Sequence, residues 1–368
     1  MRKIGKVLLI ILCVLLVFAI IIVSFLVLYK PFGGRPDKND KEDYLSRSSN
    51  YKDGKFKNDD NFTIMGKYTD PFKDRVGSSD STPSDAVDVE NYEYVEPTSD
   101  SDVLITWFGH STVLIQMHGM NVLVDPVFSN IASPVSLIGS KRFSDLSAEV
   151  SDLPNIDVIL LTHDHYDHLD YKTIKAIDEK TGFYVVPLGL EKDLIKFGVK
   201  KSKIINLAWW EEVELNDLKF VCTPARHFSG RMLIDSNESL WSSWLIKDEN
   251  HSIFDSGDSG YGKHFEEIEK KYGKVDFALI DSGQYNESWH QVHMFPEESV
   301  DAAIDLKADV AMPIHWGAFK LSNHPWNDPA YRFVRQAEEL GVNYMVSKIG
   351  KTVNIDDYLD NQEVWWEE

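Results

Sequence analysis

The chain has 368 residues, of which 43% are hydrophobic, so it can form one large domain with an appendage or two small domains. It carries 38 Lys and Arg against 59 Asp and Glu, which gives a formal net charge of −21. This acidic balance argues against nucleic acid as a partner, because nucleic-acid binding depends on basic side chains that neutralise phosphates.

The first element along the chain is an apolar run over residues 7–29, in which Ser24 is the clearly polar member. At 1.5 Å per residue the run spans roughly 34 Å, which is enough to cross a hydrocarbon core. A cleaved signal peptide is the alternative, but its apolar region would be about 7–15 residues long and would end in small residues. We therefore predict a single-pass membrane anchor over residues 1–30. The short basic N-terminus favours a catalytic domain outside the cytoplasm, although Lys and Arg flank the run on both sides.

The two ends of the remaining chain differ from its middle in composition. Residues 31–100 are rich in Asp, Asn, Ser, Lys and Gly, which predicts a polar linker followed by an irregular N-terminal extension along the domain surface. We interpret the first part, to about residue 50, as a flexible tether. The acidic and aromatic residues 356–368 are predicted to form a tail.

From residue 101 onward, short apolar runs alternate with turn residues. Residues 103–108, 112–117 and 121–125 are typical of strands, and the segment His118-Gly-Met-Asn121 indicates a hairpin between the last two. Further strands then alternate with helical patterns in both halves of the segment. This order predicts an α/β domain over residues 101–355, with two packed sheets and helices outside them.

A cluster of imidazoles and a carboxylate follows the strand-like residues 156–162. His163, His165, Asp167 and His168 form the pattern H-x-H-x-D-H. Imidazole nitrogen is a preferred zinc ligand, and carboxylate oxygen suits a second, harder position. A polar loop of solvated histidines is the alternative, but the rest of the chain argues against it.

Three more residues of the same types occur singly in similar positions. His227, Asp258 and His315 each lie close after a short apolar run and before Gly, Ser or Trp-Gly. Ligands that come one at a time from strand ends are what a rigid sheet scaffold provides. The sequence therefore predicts a metal site assembled from several loops.

Together these motifs resemble the metallo-β-lactamase superfamily. The surrounding segments resemble its N-acylphosphatidylethanolamine-hydrolysing phospholipase D branch, and the similarity covers about residues 100–355. The segments that support this resemblance are Trp107-Phe-Gly-His-Ser-Thr-Val113, Asp125-Pro-Val-Phe-Ser129, Lys141-Arg-Phe143, Pro224-Ala-Arg-His227 and Ile314-His-Trp-Gly317. The resemblance implies a four-layer αββα sandwich.

The resemblance also implies a ligand set for two zinc ions. His163, His165 and His227 would hold one ion. Asp167, His168 and His315 would hold the other, with Asp258 bridging the pair. A metal-bound hydroxide would then attack the substrate. Asp258, Asp167 and His293 are the residues expected to take part in catalysis, and His293 would bind substrate or donate a proton.

Four nearby residues keep open roles. His110 could orient a ligand, contact a phosphate or make a structural hydrogen bond. Asp281 stands where the branch is expected to have a small or apolar residue, so it could tune the site or cap a turn. Asp164 and Asp170 could orient imidazoles from outside the ligand set, or simply lie in a solvated loop.

These observations predict a membrane-anchored hydrolase with two Zn²⁺ ions per chain, or with another divalent transition metal. Its substrate would be a small molecule or a lipid, with a phosphodiester such as an N-acylphosphatidylethanolamine as the leading hypothesis. The alternatives are a hydrolase of the same fold that cleaves a lactone or a sugar phosphate ester, and a non-catalytic, metal-stabilised binding protein of the cell envelope.

Overall fold

The N-terminal part of the chain forms two helices and a hairpin in the computed structural model, which describes residues 2–59, 80–99, 101–232 and 234–367. Helix α1 covers Arg2–Leu28 and helix α2 covers Lys38–Arg47. Strands β1 (Tyr51–Lys52) and β2 (Lys55–Phe56) pair antiparallel. Within α1, Leu9–Leu28 is long and apolar enough to cross a membrane, with a mean hydropathy of 3.5, and it is not buried against the rest of the chain.

The prediction of a flexible tether is wrong for residues 31–50, which pack against the domain. Helix α2 begins after Asp37, whose side chain accepts hydrogen bonds from two backbone N–H groups of the first turn. The polar composition hides three aromatic side chains that become buried beside Trp241, namely Tyr44, Tyr51 and Phe56. The free energy gained by burying these rings holds the segment against the domain, although its polar composition suggested a tether.

The rest of the predicted extension divides into two parts. Residues 60–79 of this extension fall outside the described residues. Residues 80–99 run as irregular chain, with one bridge from Val87 to Ser144.

Two sheets form the centre of the domain. The seven strands of the larger sheet are β3 (Leu104–Trp107), β4 (Val113–Met117), β5 (Met120–Val124), β8 (Ile156–Leu160), β9 (Thr181–Pro187), β10 (Ile204–Leu207) and β17 (Thr352–Asn354). Their spatial order is β10-β9-β8-β5-β4-β3-β17. A separate small hairpin, β6 (Ile131–Ala132) with β7 (Ser140–Lys141), lies between β5 and β8 in the chain.

The second sheet is built from the C-terminal half. Its strands, in both chain and spatial order, are β11 (Glu212–Leu215), β12 (Leu218–Thr223), β13 (Ser243–Lys247), β14 (Ser252–Asp255), β15 (Phe277–Asp281) and β16 (Val310–Ile314). Apolar side chains from both sheets form one buried cluster, which places the main core between the sheets.

Helices cover the outer faces of both sheets. Helices α3 (Tyr171–Ile177) and α4 (Glu191–Phe197) pack on the larger sheet, whereas α5 (His264–Tyr272), α6 (Pro296–Asp305) and α7 (Asp328–Leu340) pack on the other. The predicted α/β fold, a four-layer αββα sandwich preceded by an apolar helix, is therefore confirmed. The hairpin predicted at residues 118–121 also forms. Its two turn residues, His118 and Gly119, have positive φ, as a two-residue turn of this kind requires.

The prediction of a C-terminal tail is wrong for residues 356–367. Short 3₁₀ helices form at Ile355–Asn361, with a kink at Asp357, and at Trp365–Glu367. Trp365 stacks on Trp316 with ring centroids 5.3 Å apart, and the Trp365 indole N–H donates to the backbone of Val346. The acidic composition of this segment suggested a tail, but its two tryptophans complete the core between the sheets.

Candidate metal centre

The residues predicted to bind metal lie where strands of the two sheets end at a common edge. Strands β5 and β8 are parallel neighbours in one sheet, and β14, β15 and β16 are parallel neighbours in the other. The loops that follow β8, β12, β14 and β16 carry the predicted ligands. Side chains that are distant in the sequence can therefore meet on a rigid scaffold.

His163, His165, His227 and Asp258 form one group, in which one ligand atom from each side chain lies within 4.8 Å of the others. His165 Nδ1 is 2.9 Å from His163 Nε2 and 3.2 Å from His227 Nε2. Asp258 Oδ2 is 3.7 Å from each of those two Nε2 atoms. Ligands bound tetrahedrally to zinc would be about 3.3 Å apart, so these spacings fit a metal ion.

His110, Asp167, His168 and His315 form a second group within the same 4.8 Å limit. His168 Nε2 is 3.5 Å from Asp167 Oδ2. Asp258 reaches this group as well, because its Oδ2 atom is 3.2 Å from His168 Nε2 and its Oδ1 atom is 3.2 Å from His315 Nδ1. The structure thus brings together all seven residues that the sequence predicted as ligands, with Asp258 between the two groups.

The chemistry of the assembled atoms also fits metal ions. His168 Nε2, His315 Nε2 and Asp258 Oδ1 are buried and have no hydrogen-bond partner, although buried polar atoms are almost always paired. Burial lowers the pKa of His163, and likewise those of His227 and His315, well below the usual value. These imidazoles are therefore neutral, which is the form that binds a metal.

His168 and Asp258 differ from the other ligand candidates in their charge. Burial acts to lower the pKa of His168, but nearby carboxylates, above all that of Asp258, raise it well above its usual value. Burial acts to raise the pKa of Asp258, but His168 and His315 hold it well below its usual value. A metal ion bound by His168 would therefore displace a proton, and acid would weaken metal binding.

Asp125 is a supporting residue that sequence reasoning missed. It follows β5 directly, and its carboxylate accepts hydrogen bonds from His168 Nδ1 at 2.7 Å, from the Thr162 backbone N–H at 2.8 Å and from the Thr162 hydroxyl at 2.5 Å. Ser111 plays a similar part for His315, with its Oγ atom 3.0 Å from Nδ1. Two signals were available: Asp125 follows a strand just as the predicted ligands do, and it begins one of the segments that carry the family resemblance.

His110 lies against the second group rather than apart from it. Its Nε2 atom is 2.8 Å from Asp167 Oδ2, and its ring lies 4.1 Å from that of His315. Among the alternatives for His110, this contact favours orientation of a predicted ligand. The backbones of His110, Asp125 and His315 all have positive φ, which is uncommon for residues other than glycine and occurs often at functional sites.

His293 and Asp281 form a hydrogen-bonded pair at the edge of the centre. His293 Nδ1 is 3.0 Å from Asp281 Oδ2, and His293 Nε2 is 4.0 Å from Asp258 Oδ2. Burial raises the pKa of Asp281 to about 7. Burial acts to lower the pKa of His293, but the Asp281 carboxylate reverses this and raises it. Asp281 is therefore more than a turn cap, because it orients an imidazole towards the centre.

Asp164 and Asp170 hold the backbone rather than the imidazoles. Asp164 accepts hydrogen bonds from the Gly230 backbone and the Ser239 hydroxyl. Asp170 caps helix α3 through the backbone N–H groups of its first turn. Both residues therefore shape the loop that carries the H-x-H-x-D-H pattern without contacting a ring nitrogen.

Comparison with known proteins places this centre among related sequences. The beta-lactamase superfamily domain matches residues 120–316. An uncharacterized protein of Mycobacterium tuberculosis is 39% identical over 258 residues, which cover 69% of each chain. The N-acyl-phosphatidylethanolamine-hydrolyzing phospholipase D 1 of Caenorhabditis elegans is 33% identical over 265 residues, which cover 67% of this chain and 74% of the relative.

Solved structures show the same fold at lower sequence similarity. A metallo hydrolase of the archaeon Ignicoccus hospitalis superposes with a TM-score of 0.53 at 20% identity, and the match covers 68% of this chain and 97% of that chain. At this level of identity the likeness establishes the arrangement of the sheets and helices alone.

Proposed function

The chain belongs to the beta-lactamase superfamily, and from this membership we propose that it is a membrane-anchored dinuclear zinc hydrolase that cleaves a phosphodiester. The broader part of this function is already set by the family, since the protein is a metal-dependent hydrolase related to N-acylphosphatidylethanolamine-hydrolysing phospholipase D. The proposal adds two zinc ions per chain and a lipid phosphodiester as substrate. The observation that carries it is the convergence of seven His and Asp side chains on two adjacent groups.

The two groups would divide the ions between them. One ion would be held by His163, His165 and His227, the other by Asp167, His168 and His315, and Asp258 would contact both. Two bound zinc ions supply Lewis acidity towards a phosphoryl group and lower the pKa of a water molecule towards neutrality. The side chains of the protein would then have three tasks: to place the substrate, to hold the metal ligands in position and to move a proton.

Proton movement would fall to His293. Its Nδ1 atom contacts Asp281, which leaves Nε2 directed at the centre. From there, His293 would bind substrate or donate a proton to the oxygen that leaves phosphorus. Asp258 and Asp167 would take part in catalysis through their carboxylates, which lie at the centre. His110 would keep Asp167 in place through the 2.8 Å contact between His110 Nε2 and Asp167 Oδ2.

Two observations support a lipid as the substrate. Leu9–Leu28 has the length and composition of a membrane span, which would hold the domain beside a bilayer. The Caenorhabditis elegans relative is named for hydrolysis of an N-acyl-phosphatidylethanolamine. A membrane anchor raises the local concentration of lipid substrates without any change in the active site.

A substrate panel tests this proposal. Full-length protein in detergent micelles would be offered N-acylphosphatidylethanolamine, phosphatidylcholine, bis(4-nitrophenyl) phosphate, a lactone and a sugar phosphate ester. We expect hydrolysis of the phosphodiesters, with N-acylethanolamine and phosphatidic acid released from the first. Turnover confined to the lactone or to the sugar phosphate ester would overturn the substrate assignment.

Two histidine variants serve as matched probes in the same assay. His165→Ala removes a predicted ligand and should abolish turnover while the domain stays folded. His290→Ala removes an exposed imidazole from the loop that also carries His293, and it should leave turnover unchanged. Equal activity of both variants would refute a ligand role for His165.

A further inference from the structure

The chain leaves helix α1 through a turn that two loops of the domain hold firmly. Tyr29 donates a hydrogen bond to the backbone oxygen of Pro134, in the β6–β7 loop, at 2.7 Å. Arg231 donates two hydrogen bonds to the backbone oxygen of Pro31, at 3.1 and 2.9 Å. The helix end is therefore fixed to the domain rather than joined to it by a flexible tether.

Close backbone packing adds to this attachment. At Gly33 a Cβ atom would lie 2.0 Å from a carboxylate oxygen of Asp193. The next residue, Gly34, donates its backbone N–H to the same oxygen at 2.8 Å. Arg35 then pairs with Glu238 through two hydrogen bonds and also donates to the backbone oxygen of Ile234. The direction of α1 relative to the domain is thus set by residues 29–35.

Both loops that hold this turn expose aliphatic side chains, which we call the apolar rim: Leu137, Ile138 and Ile234. Leu137 is 97% exposed and Ile138 is 74% exposed at the tip of the β6–β7 loop. Ile234, between β12 and β13, is 63% exposed. Large aliphatic side chains exposed to this degree, on two loops that hold the same turn, indicate a contact surface rather than ordinary surface variation.

The two loops that carry the apolar rim border the same cavity as the H-x-H-x-D-H loop. A cavity of about 320 Å³ lies between the end of α1 and the H-x-H-x-D-H loop. Its walls include Tyr29, Pro134, Tyr166 and Arg231. Tyr166 stands between two predicted ligands in the chain, so the loop that bears them forms part of the surface next to the helix end.

We propose that Leu137, Ile138 and Ile234 insert into the lipid surface from which α1 emerges, so that the domain docks on the bilayer with its H-x-H-x-D-H loop facing lipid. This inference rests on the proposed membrane anchoring. A helix that spans the hydrocarbon up to Leu28 puts residues 29–35 at the interface, and these residues contact both rim loops. The apolar rim would then lie in lipid, which removes its aliphatic surface from water.

The test measures contact with lipid directly and needs no enzyme activity. Full-length Cys13→Ser protein, in which Cys222 is buried, would receive a single cysteine by Ile138→Cys, Ile234→Cys or Leu340→Cys, each labelled with a polarity-sensitive fluorophore. Leu340 is 47% exposed at the end of α7, on the opposite outer layer of the sandwich, and serves as the matched control. The proteins would be reconstituted in phosphatidylcholine vesicles with or without nitroxide-labelled phosphatidylcholine.

We expect blue-shifted emission and nitroxide quenching at positions 138 and 234, and neither effect at position 340. Quenching at the rim no stronger than at position 340 would overturn the proposal. A blue shift at the rim without nitroxide quenching would also overturn it, because the side chains would then be covered by a second copy of the chain rather than by lipid.

A functional variant separates this inference from the proposed reaction. Ile138→Glu should reduce hydrolysis of a phosphodiester lipid in vesicles and leave hydrolysis of soluble bis(4-nitrophenyl) phosphate unchanged. Quenching at the rim in a protein without phosphodiesterase activity would support docking and overturn the proposed function. Phosphodiesterase activity without quenching would overturn the proposed docking and support the proposed function.

Discussion

Replacement of Asp125 by asparagine tests how the fold holds His168. The Asp125 carboxylate is fully buried and receives three donors: the Nδ1–H group of His168, and the backbone N–H and hydroxyl of Thr162. Asparagine has the same shape and tolerates the positive φ of 41° at this position. It has a single acceptor oxygen, however, and its amide N–H₂ would face one of the three donors.

The expected magnitude follows from this mismatch. One buried donor left unpaired costs about 1–3 kcal/mol of folding free energy. Loss of the carboxylate that orients a metal-binding imidazole typically reduces metal affinity by about 10- to 100-fold. We therefore expect Asp125→Asn to fold, to unfold at a lower temperature, and to bind zinc about 10- to 100-fold more weakly.

Competition with a chromogenic chelator would measure zinc affinity, and thermal unfolding of the metal-free protein would report the change in the fold. Asp248→Asn is the matched control, because Asp248 is also a largely buried carboxylate that accepts backbone hydrogen bonds, but in the turn between β13 and β14. Equal zinc affinity of the two variants would refute the role assigned to Asp125.

Three further predictions concern the terminal segments and a residue of the domain that contacts one of them. Gly33→Ala should cost about 1–3 kcal/mol of stability through overlap with Asp193, beyond the loss in Gly54→Ala, where φ is similarly positive but no atom lies within 4 Å; equal losses in thermal unfolding would contradict this. Trp365→Ala should lower the free energy of unfolding, measured with denaturant, by about 3–5 kcal/mol. A loss near zero would instead support the prediction that this segment is a tail. Burial raises the pKa of Glu191 above its usual value of 4.5. The neutral form therefore stabilises the fold below pH 4.5, and this contribution is lost as pH rises through the folded pKa. Glu191→Gln should reduce that fall in stability with rising pH, and an unchanged pH profile would contradict the assignment.

The sandwich and the ligand candidates could be predicted because local pattern and chemistry agree along the chain. Alternating apolar runs mark the strands, and four of the runs, which become β8, β12, β14 and β16, are followed by residues whose side chains suit a metal. Asp125 could not be assigned in the same way. Its role depends on the pairing of Val124 with Leu160, which places the ends of β5 and β8 side by side.

The two terminal segments were mispredicted for a common physical reason. Composition averages over a segment, whereas burial depends on a few large side chains and on where they meet the domain. Tyr44 and Trp366 lie in polar and acidic surroundings in the sequence, yet both are buried in the structure. Close approach at Gly33 likewise becomes visible only once Asp193 is placed beside it.

Metal content is the measurement that tests the central claim most directly. Purified full-length protein, assayed by mass spectrometry of the metals against protein concentration, should contain close to two zinc or similar ions per chain. His165→Ala removes a ligand from one group alone, so it should retain close to one ion. A wild-type protein with one ion or none would contradict the two-metal account.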